Sequence, residues 1–264
     1  MHPKGPRPDP IKAVVFDWRG TLVTELTPED WALEALKRVR TDADPEPGHD
    51  AAVALLQQIR TAAGQPNRLQ SPQGNTSYQR HRDTYFEVFE DAGLAPDLAE
   101  ALFDVDSDPG YNTFAVDAAD TLNALAENGY RIGILSNIHF DIRDCFKQAQ
   151  LLDVIDEFVL SNEEGIQKPD PAIFRLILDR LDTPAEQTLM VGDRSNRDGV
   201  AADPGVRMPT LLVPTLSDPG HRRLHLVMNT IGANQGLRSL LPNRSLHKAR
   251  RTIGRLVGTA PAMT

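Results

Sequence analysis

The stretch Val14-Val15-Phe16-Asp17-Trp18-Arg19-Gly20-Thr21-Leu22-Val23 decides how the chain is read. The residues from Ala13 to Phe16 suit a buried strand, and Gly20-Thr21 supplies a tight turn just beyond it. That pattern places Asp17 at the carboxyl end of a strand, the edge where open α/β sheets hold their ligands. A carboxylate in that place can be a nucleophile, a metal ligand or no more than a turn or helix-capping residue. The chain on either side decides among these.

Downstream of Thr24 the pattern changes. Apolar residues recur at helical spacing over residues 28–40, 50–63 and 78–92, with Trp31, Leu33, Leu36 and Val39 marking the first face. Residues 64–77, rich in Gly, Pro, Asn, Gln and Ser, read as a loop. No convincing strand falls between 24 and 108, so this span is expected to be a helical insertion. Strand and helix patterns then take turns. Strands are expected at 130–135, 158–160, 188–191 and 210–213, and helices at 118–128, 141–150, 171–181 and 197–202. Alternation of that kind predicts an α/β fold, a doubly wound parallel sheet with crossover helices, built from residues 11–23 and 109–214.

Bulk properties narrow the class. The chain has 264 residues, a net charge of −9 and one cysteine, Cys145. A single cysteine allows no internal disulfide and favours a reducing compartment, so a cytoplasmic location is expected. No apolar run reaches the length of a membrane span. Residues 1–10, with four prolines, read as a flexible lead without the apolar segment of a signal peptide. Charge is uneven: from Thr215 onward eight Arg and Lys stand against the single acid Asp218, on a body that is strongly acidic. Residues 215–264 read as a basic extension, in which 245–257 carry one apolar face of a helix. With no aromatic residues interleaved among its charges, nucleic acid is an unlikely partner for it.

Four positions belong together because each lies at or beyond the end of an expected strand. They are Asp17, Ser136-Asn137, Lys168 and Asp193. In a parallel sheet those ends open on one edge. A carboxylate, a hydroxyl with adjacent backbone donors, an ammonium and a second carboxylate suit a phosphoryl-sized anion with a divalent cation.

On these residues the sequence resembles the haloacid dehalogenase-like (HAD) hydrolase superfamily. The motifs that carry the resemblance are Phe16-Asp17-Trp18-Arg19-Gly20-Thr21, Leu135-Ser136-Asn137, Lys168-Pro169-Asp170-Pro171 and Val191-Gly192-Asp193-Arg194-Ser195-Asn196-Arg197-Asp198, in that order. The resemblance implies a Rossmann-like core with residues 24–108 as its helical cap domain. It implies Asp17 as the nucleophile that forms an aspartyl-phosphate, with Gly20 and Thr21 in its loop at the phosphate site. Ser136 and the backbone of Asn137 would bind the transferring group, and Lys168 would neutralise it. Mg²⁺ would be held by Asp17, the backbone carbonyl of Arg19 and Asp193, with Asp198 in support. The substrate implied is a small phosphorylated metabolite.

Arg19 departs from the pattern. Phosphatases of this superfamily carry there a second Asp that protonates the leaving alkoxide and then activates water, and a guanidinium stays protonated at any working pH. Loss of general acid–base catalysis costs about 10²- to 10⁴-fold, so alkyl phosphates are expected to turn over slowly. Three readings remain open. Arg19 can clamp an anionic oxygen in a hydrolase for acyl or aryl phosphates. The chain can belong to the dehalogenase or phosphonate-cleaving branches, the latter depending on Lys37, the only lysine between 24 and 108. Or the fold has become a binding or regulatory module. Within the insertion, Tyr78-Gln79-Arg80-His81-Arg82 is the densest set able to hold a polar substrate.

Overall fold

A computed structural model describes residues 10–234. Five parallel strands form one sheet in the order β3-β2-β1-β4-β5. They are β1 (Ala13–Phe16), β2 (Arg131–Ser136), β3 (Glu157–Leu160), β4 (Thr188–Gly192) and β5 (Thr210–Leu212). β1 is central, with Val15 in register with Gly133 on one side and Met190 on the other. The chain runs outward from β1 to β2 and β3, then returns to place β4 on the opposite flank. The strand order therefore reverses beside β1, and such a switch point opens a crevice at the carboxyl edge.

Alternating side chains feed two apolar layers, as expected for a sheet covered on both faces. Val14, Phe16, Ile134 and Val191 pack with helix α5 (Ala118–Glu127) through Leu122 and Leu125. Val15, Leu135 and Met190 pack on the other face with Ile173, Phe174 and Ile177 of α8 (Pro171–Leu181). Pro171 at the start of α8 and Asp170, whose side chain accepts from Ala172 N, explain the Asp-Pro pair as a helix start.

The insertion between β1 and α5 is helical, but it holds four long helices rather than three. α1 (Pro28–Val39), α2 (His49–Ala63) and α3 (Tyr78–Asp91) lie close to expectation. The fourth, α4 (Pro96–Ser107), begins at a proline with no side-chain cap and carries Leu98, Leu102 and Val105 at helical spacing. These helices bury a separate apolar cluster that includes Leu56, Ile59, Phe89 and Leu102. Two connections tie the insertion to the sheet side by side. Thr24 N donates to Thr113 O at 2.9 Å, and Ala115 N donates to Leu22 O at 2.9 Å.

Other boundaries moved for local reasons. The expected helix over 197–202 is a 3-10 turn, Gly199–Ala202, because the Asp198 carboxylate caps Arg194 N instead of continuing a helix. α6 (Arg143–Gln148) is shorter than expected, and a four-residue α7 (Ser161–Glu164) follows β3 directly.

The expected break at residue 214 needs correction. Leu216, Leu224, Val227 and Ile231 are buried in the main core, the last two on helix α9 (His225–Asn234). Basic residues in this stretch masked apolar ones at core spacing. The lead over 1–9 and the expected helix over 245–257 lie outside the described residues. Among the described residues, no helix is long and apolar enough to cross a membrane.

Candidate active site

The loop after β1 is built to hold Asp17 still. Asp17 N donates to Val191 O at 2.9 Å, extending the β1–β4 pairing by one residue. Trp18 O then accepts from Leu22 N at 2.9 Å, closing a turn that Gly20 completes at φ +77°. A Cβ on Gly20 would lie 2.5 Å from the Asp193 carboxylate, so both the backbone angle and the space require glycine. Trp18 is fully buried, its ring 5.1 Å from Phe114 and 5.0 Å from Phe146, and it anchors the turn from below.

Residues 215–224 brace the same turn from behind. Leu216 N donates to Gly20 O at 2.8 Å, and the buried Arg223 guanidinium donates to Gly20 O at 3.2 Å and Thr21 O at 2.5 Å. Arg223 N and Leu224 N donate to Asp117 Oδ2 at 2.7 and 2.9 Å. Arg223 thus belongs to the stretch read as a basic extension, yet it is buried.

The structure brings the four strand-end groups into one place. Lys168 Nζ lies 2.8 Å from Asp17 Oδ1 and 2.6 Å from Asp198 Oδ1, with all three side chains buried or nearly so. Asn137 uses its side-chain amide to grip the Lys168 backbone: Nδ2 donates to Lys168 O and Oδ1 accepts from Lys168 N, both at 2.8 Å. Ser136, at the last position of β2, is 2% exposed and lines the same cavity of about 190 Å³ as Asp17 and Lys168. Asp193 accepts from Thr215 Oγ1 at 2.7 Å and from Thr21 Oγ1 at 3.4 Å.

Carboxylates crowd beside this cavity. Oxygens of Asp17, Asp193 and Asp198 lie within 4.8 Å of one another, with the Lys168 ammonium against Asp17 and Asp198 and Arg194 Nε 4.0 Å from Asp193 Oδ2. Burial pushes the Asp17 carboxyl up, and nearby Asp198 adds to this while Lys168 opposes it. Burial likewise pushes Asp193 up. Burial alone would lower Lys168, but Asp17 and Asp198 outweigh it and keep the ammonium charged. A hard divalent cation among these oxygens would offset the repulsion between the three carboxylates, and the all-oxygen donor set suits it. Gly192 makes the room, since a Cβ there would sit 2.2 Å from Asp198 Cγ.

Arg19 is placed differently from the expected anion clamp. Its Nε donates to Asn112 Oδ1 at 3.3 Å, Nη1 to Asp106 Oδ1 at 3.4 Å and Nη2 to Asp106 O at 2.6 Å. The guanidinium also lies over Phe140 at 5.3 Å. Its head is thus spent on the end of α4, although it still borders the cavity.

Asp106 is the centre of a second buried group that sequence reading missed. His81 Nε2 donates to Asp106 Oδ2 at 2.9 Å, and His139 Nε2 lies 3.8 Å from the same oxygen. The two imidazoles stack with centroids 3.7 Å apart and 5° between planes. Parallel rings cannot both aim in-plane lone pairs at one ion, and Arg19 already supplies the positive charge, so this trio is a poor metal cradle despite its composition. Burial alone would raise Asp106, but the bond from His81 and the Arg19 guanidinium hold it well below the usual carboxylate range. Burial pushes His139 down to about 3, with Asp106 opposing.

His139 therefore binds its proton more readily in the unfolded chain, and stability is lost as pH falls below the free imidazole value of 6.5 toward 3. Denaturant unfolding is expected to show a loss of roughly 3 kcal/mol between about pH 6.5 and 4. His139→Gln should flatten that slope, and an unchanged slope would remove His139 as its source.

Within 78–82 only His81 faces inward. Arg80 bonds Gln73 and Arg82 bonds Glu100 on the outside. Lys37 is exposed and pairs with Glu34 at 2.7 Å. It lines neither this cavity nor the larger one beside it, which leaves the imine-forming reading without its lysine.

A doubly wound sheet with these groups gathered at its carboxyl edge is the architecture of an α/β enzyme. Residues 11–203 match the family model described as haloacid dehalogenase-like hydrolase. The chain is 31% identical to a phosphoglycolate phosphatase of Rhodospirillum rubrum over 198 residues, covering 74% of this chain and 77% of that one. It is 27% identical to (S)-2-haloacid dehalogenase 1 of a Pseudomonas species over 192 residues, 71% of this chain and 78% of the other. A HAD family enzyme from Bacteroides thetaiotaomicron, solved in complex with magnesium and inorganic phosphate, superposes with a TM-score of 0.54 at 19% identity, covering 82% of this chain and 98% of that one. The protein belongs to the haloacid dehalogenase-like hydrolases, and it is a hydrolase of the family that includes both phosphatases and dehalogenases.

Proposed function

We propose that the protein is a Mg²⁺-dependent phosphatase-type hydrolase that acts on a small phosphorylated substrate through Asp17, and that it favours leaving groups able to depart without a proton. The observation that carries this is the cluster of three carboxylates, Asp17, Asp193 and Asp198, of which Asp17 and Asp198 pair with the Lys168 ammonium and two are additional to the nucleophile. Displacement of halide by a carboxylate has no use for such a cation site, whereas phosphoryl transfer does. The relatives named as phosphatases, and the magnesium and phosphate in the B. thetaiotaomicron enzyme, support the same reading.

In this mechanism Asp17 attacks phosphorus, the bond from phosphorus to the leaving oxygen breaks, and that oxygen departs with the electron pair. Ser136 and the Asn137 backbone donate to the phosphoryl oxygens, and Lys168 balances their charge. Water then attacks phosphorus of the aspartyl-phosphate, the bond from phosphorus to the Asp17 oxygen breaks, and both water protons leave with the phosphate, which restores the Asp17 carboxylate. Mg²⁺, held by Asp17, the Arg19 carbonyl and Asp193 with Asp198 behind them, would supply further charge neutralisation. Arg19 gives no proton in either step, and its side chain is committed to Asp106 and Asn112. The helical insertion acts as the cap over the crevice, and its loop is fastened to the core where Asn75 N donates to Gln167 Oε1 at 2.8 Å.

Phosphate release from acetyl phosphate, p-nitrophenyl phosphate and glycerol phosphate tests the reading, with Mg²⁺ and with EDTA. The first two are expected to exceed the third by about 10²- to 10⁴-fold, and EDTA is expected to stop all three. Halide release from 2-chloropropionate without metal would instead support the dehalogenase reading. No turnover of any substrate would leave a binding module.

A further inference from the structure

We propose that the substrate's leaving group is an apolar, ring-sized moiety held in a chamber that opens off the catalytic cavity. The proposal rests on the phosphatase reading above and names the substrate class for that site.

The chamber has a volume of about 380 Å³ and lies between the nucleophile loop and the helical insertion. Arg19, Leu69, Gln70, Tyr85 and Asp106 are among the residues that border both it and the catalytic cavity, so the two adjoin, and a molecule held by its phosphate at Asp17 would extend past these side chains into the chamber. An apolar cavity of about 150 Å³ accepts benzene, and this one is more than twice as large.

Its lining combines a set of apolar side chains with polar ones, and most of its charged groups are paired with each other. Trp31, Leu56, Ile59, Tyr85, Val105 and Tyr111 come from or adjoin all four helices of the insertion. The polar ends of two of these aromatics are occupied elsewhere. Trp31 Nε1 donates to Leu102 O at 2.8 Å, and the Tyr111 hydroxyl donates to Glu34 at 3.3 Å. Burial pushes the Tyr85 phenol up, so it stays neutral.

The charged residues of the wall are mated. Arg19 is fixed to Asp106 and Asn112, and Arg194 pairs with Glu25. Arg60, exposed on the last turn of α2, is the one guanidinium of this lining without an ion pair among the described residues. Away from Arg60 at the exposed rim, a second phosphate or a carboxylate entering the chamber would have to break an existing pair and lose its own hydration. An aryl or branched hydrocarbon group loses nothing of that kind and gains by burial. The acid missing at position 19 points the same way, because an aryl or acyl oxygen leaves as a stabilised anion.

Calorimetric titration of the Mg²⁺-loaded full chain with three non-hydrolysable probes tests this without relying on turnover. The probes are methylphosphonate, benzylphosphonate and phosphonoacetate. Benzylphosphonate is expected to bind about tenfold or more tighter than methylphosphonate, the scale expected from burying a phenyl ring. Phosphonoacetate is expected to gain nothing. In Leu26→Trp, whose indole would fill the chamber from its half-buried rim, the benzyl advantage is expected to vanish; the thermal melt of the variant reports whether it is folded.

The wild-type series decides the matter even if that variant fails to fold. Equal binding of the methyl and benzyl probes, or tightest binding of phosphonoacetate, would overturn the chamber assignment while leaving the phosphate site standing. Failure of all three probes to bind would overturn the phosphatase reading and this proposal with it.

Discussion

Asp17→Asn is expected to reduce phosphate release by on the order of 10⁴-fold or more, the scale seen when a covalent nucleophile is removed, while leaving the fold at least as stable. An amide oxygen can still accept from Lys168 Nζ, which lies 2.8 Å from Asp17 Oδ1, and Lys168 keeps Asp198 at 2.6 Å. What disappears is a buried carboxylate whose desolvation is incompletely repaid, as its raised pKa indicates. Activity and stability should therefore move apart, the usual mark of a residue kept for chemistry at some cost to the fold. Two measurements check it: trapping of phosphoenzyme from acetyl phosphate, which the variant should not form, and the melting temperature in EDTA, which should not fall. A variant that melts lower and retains turnover would reassign Asp17 to a structural role.

The parts of this site that were legible in the sequence share one property. Asp17, Ser136, Asn137 and Asp193 sit at or next to a strand end and Lys168 in the loop beyond β3, and strand ends are local features that apolar runs reveal. A parallel sheet then brings them together without any knowledge of side-chain packing. The central β1 and the helical nature of the insertion were legible for the same reason, since period-2 and period-3.6 patterns are carried by neighbours in sequence.

What stayed hidden depends on pairing across long separations. Arg19 read as the loss of an acid, but its partner Asp106 lies 87 residues away at the end of a helix that had not been recognised. Nothing in the composition around Asp106 distinguishes it from Asp104 or Asp108. Only folding shows that His81, His139 and Arg19 converge on it. The same holds for Thr215 and Arg223. Their stretch looked like a solvated basic tail because charge dominates its composition, yet Leu216, Leu224, Val227 and Ile231 occur there at core spacing. That spacing was available in the sequence and outweighs the charge count. Within this stretch Nη2 of the buried Arg223 guanidinium bonds the Gly20 and Thr21 carbonyls of the tight turn.

Lys168→Met should destabilise the metal-free protein by about 3–5 kcal/mol, the cost of leaving buried charge without its partner. Methionine matches the length of the lysine stem and keeps the apolar contacts, so the loss is electrostatic rather than a cavity. Three carboxylates would remain within 4.8 Å of one another. Asp198 would keep its bond from Arg194 N at 3.0 Å, but Asp17 would lose its hydrogen-bonded counter-charge. Added Mg²⁺ neutralises the same oxygens, so it should raise the melting temperature of the variant by more than it raises that of the wild type. Catalysis should not recover in parallel, because the charge that Lys168 places against the phosphoryl oxygens is absent even when the fold is restored. Denaturant unfolding with EDTA, then with Mg²⁺, separates these effects. Equal stabilisation of wild type and variant by Mg²⁺ would show that the cation does not sit among Asp17, Asp193 and Asp198, and an undiminished stability in EDTA would show that Lys168 is not what holds their charges together.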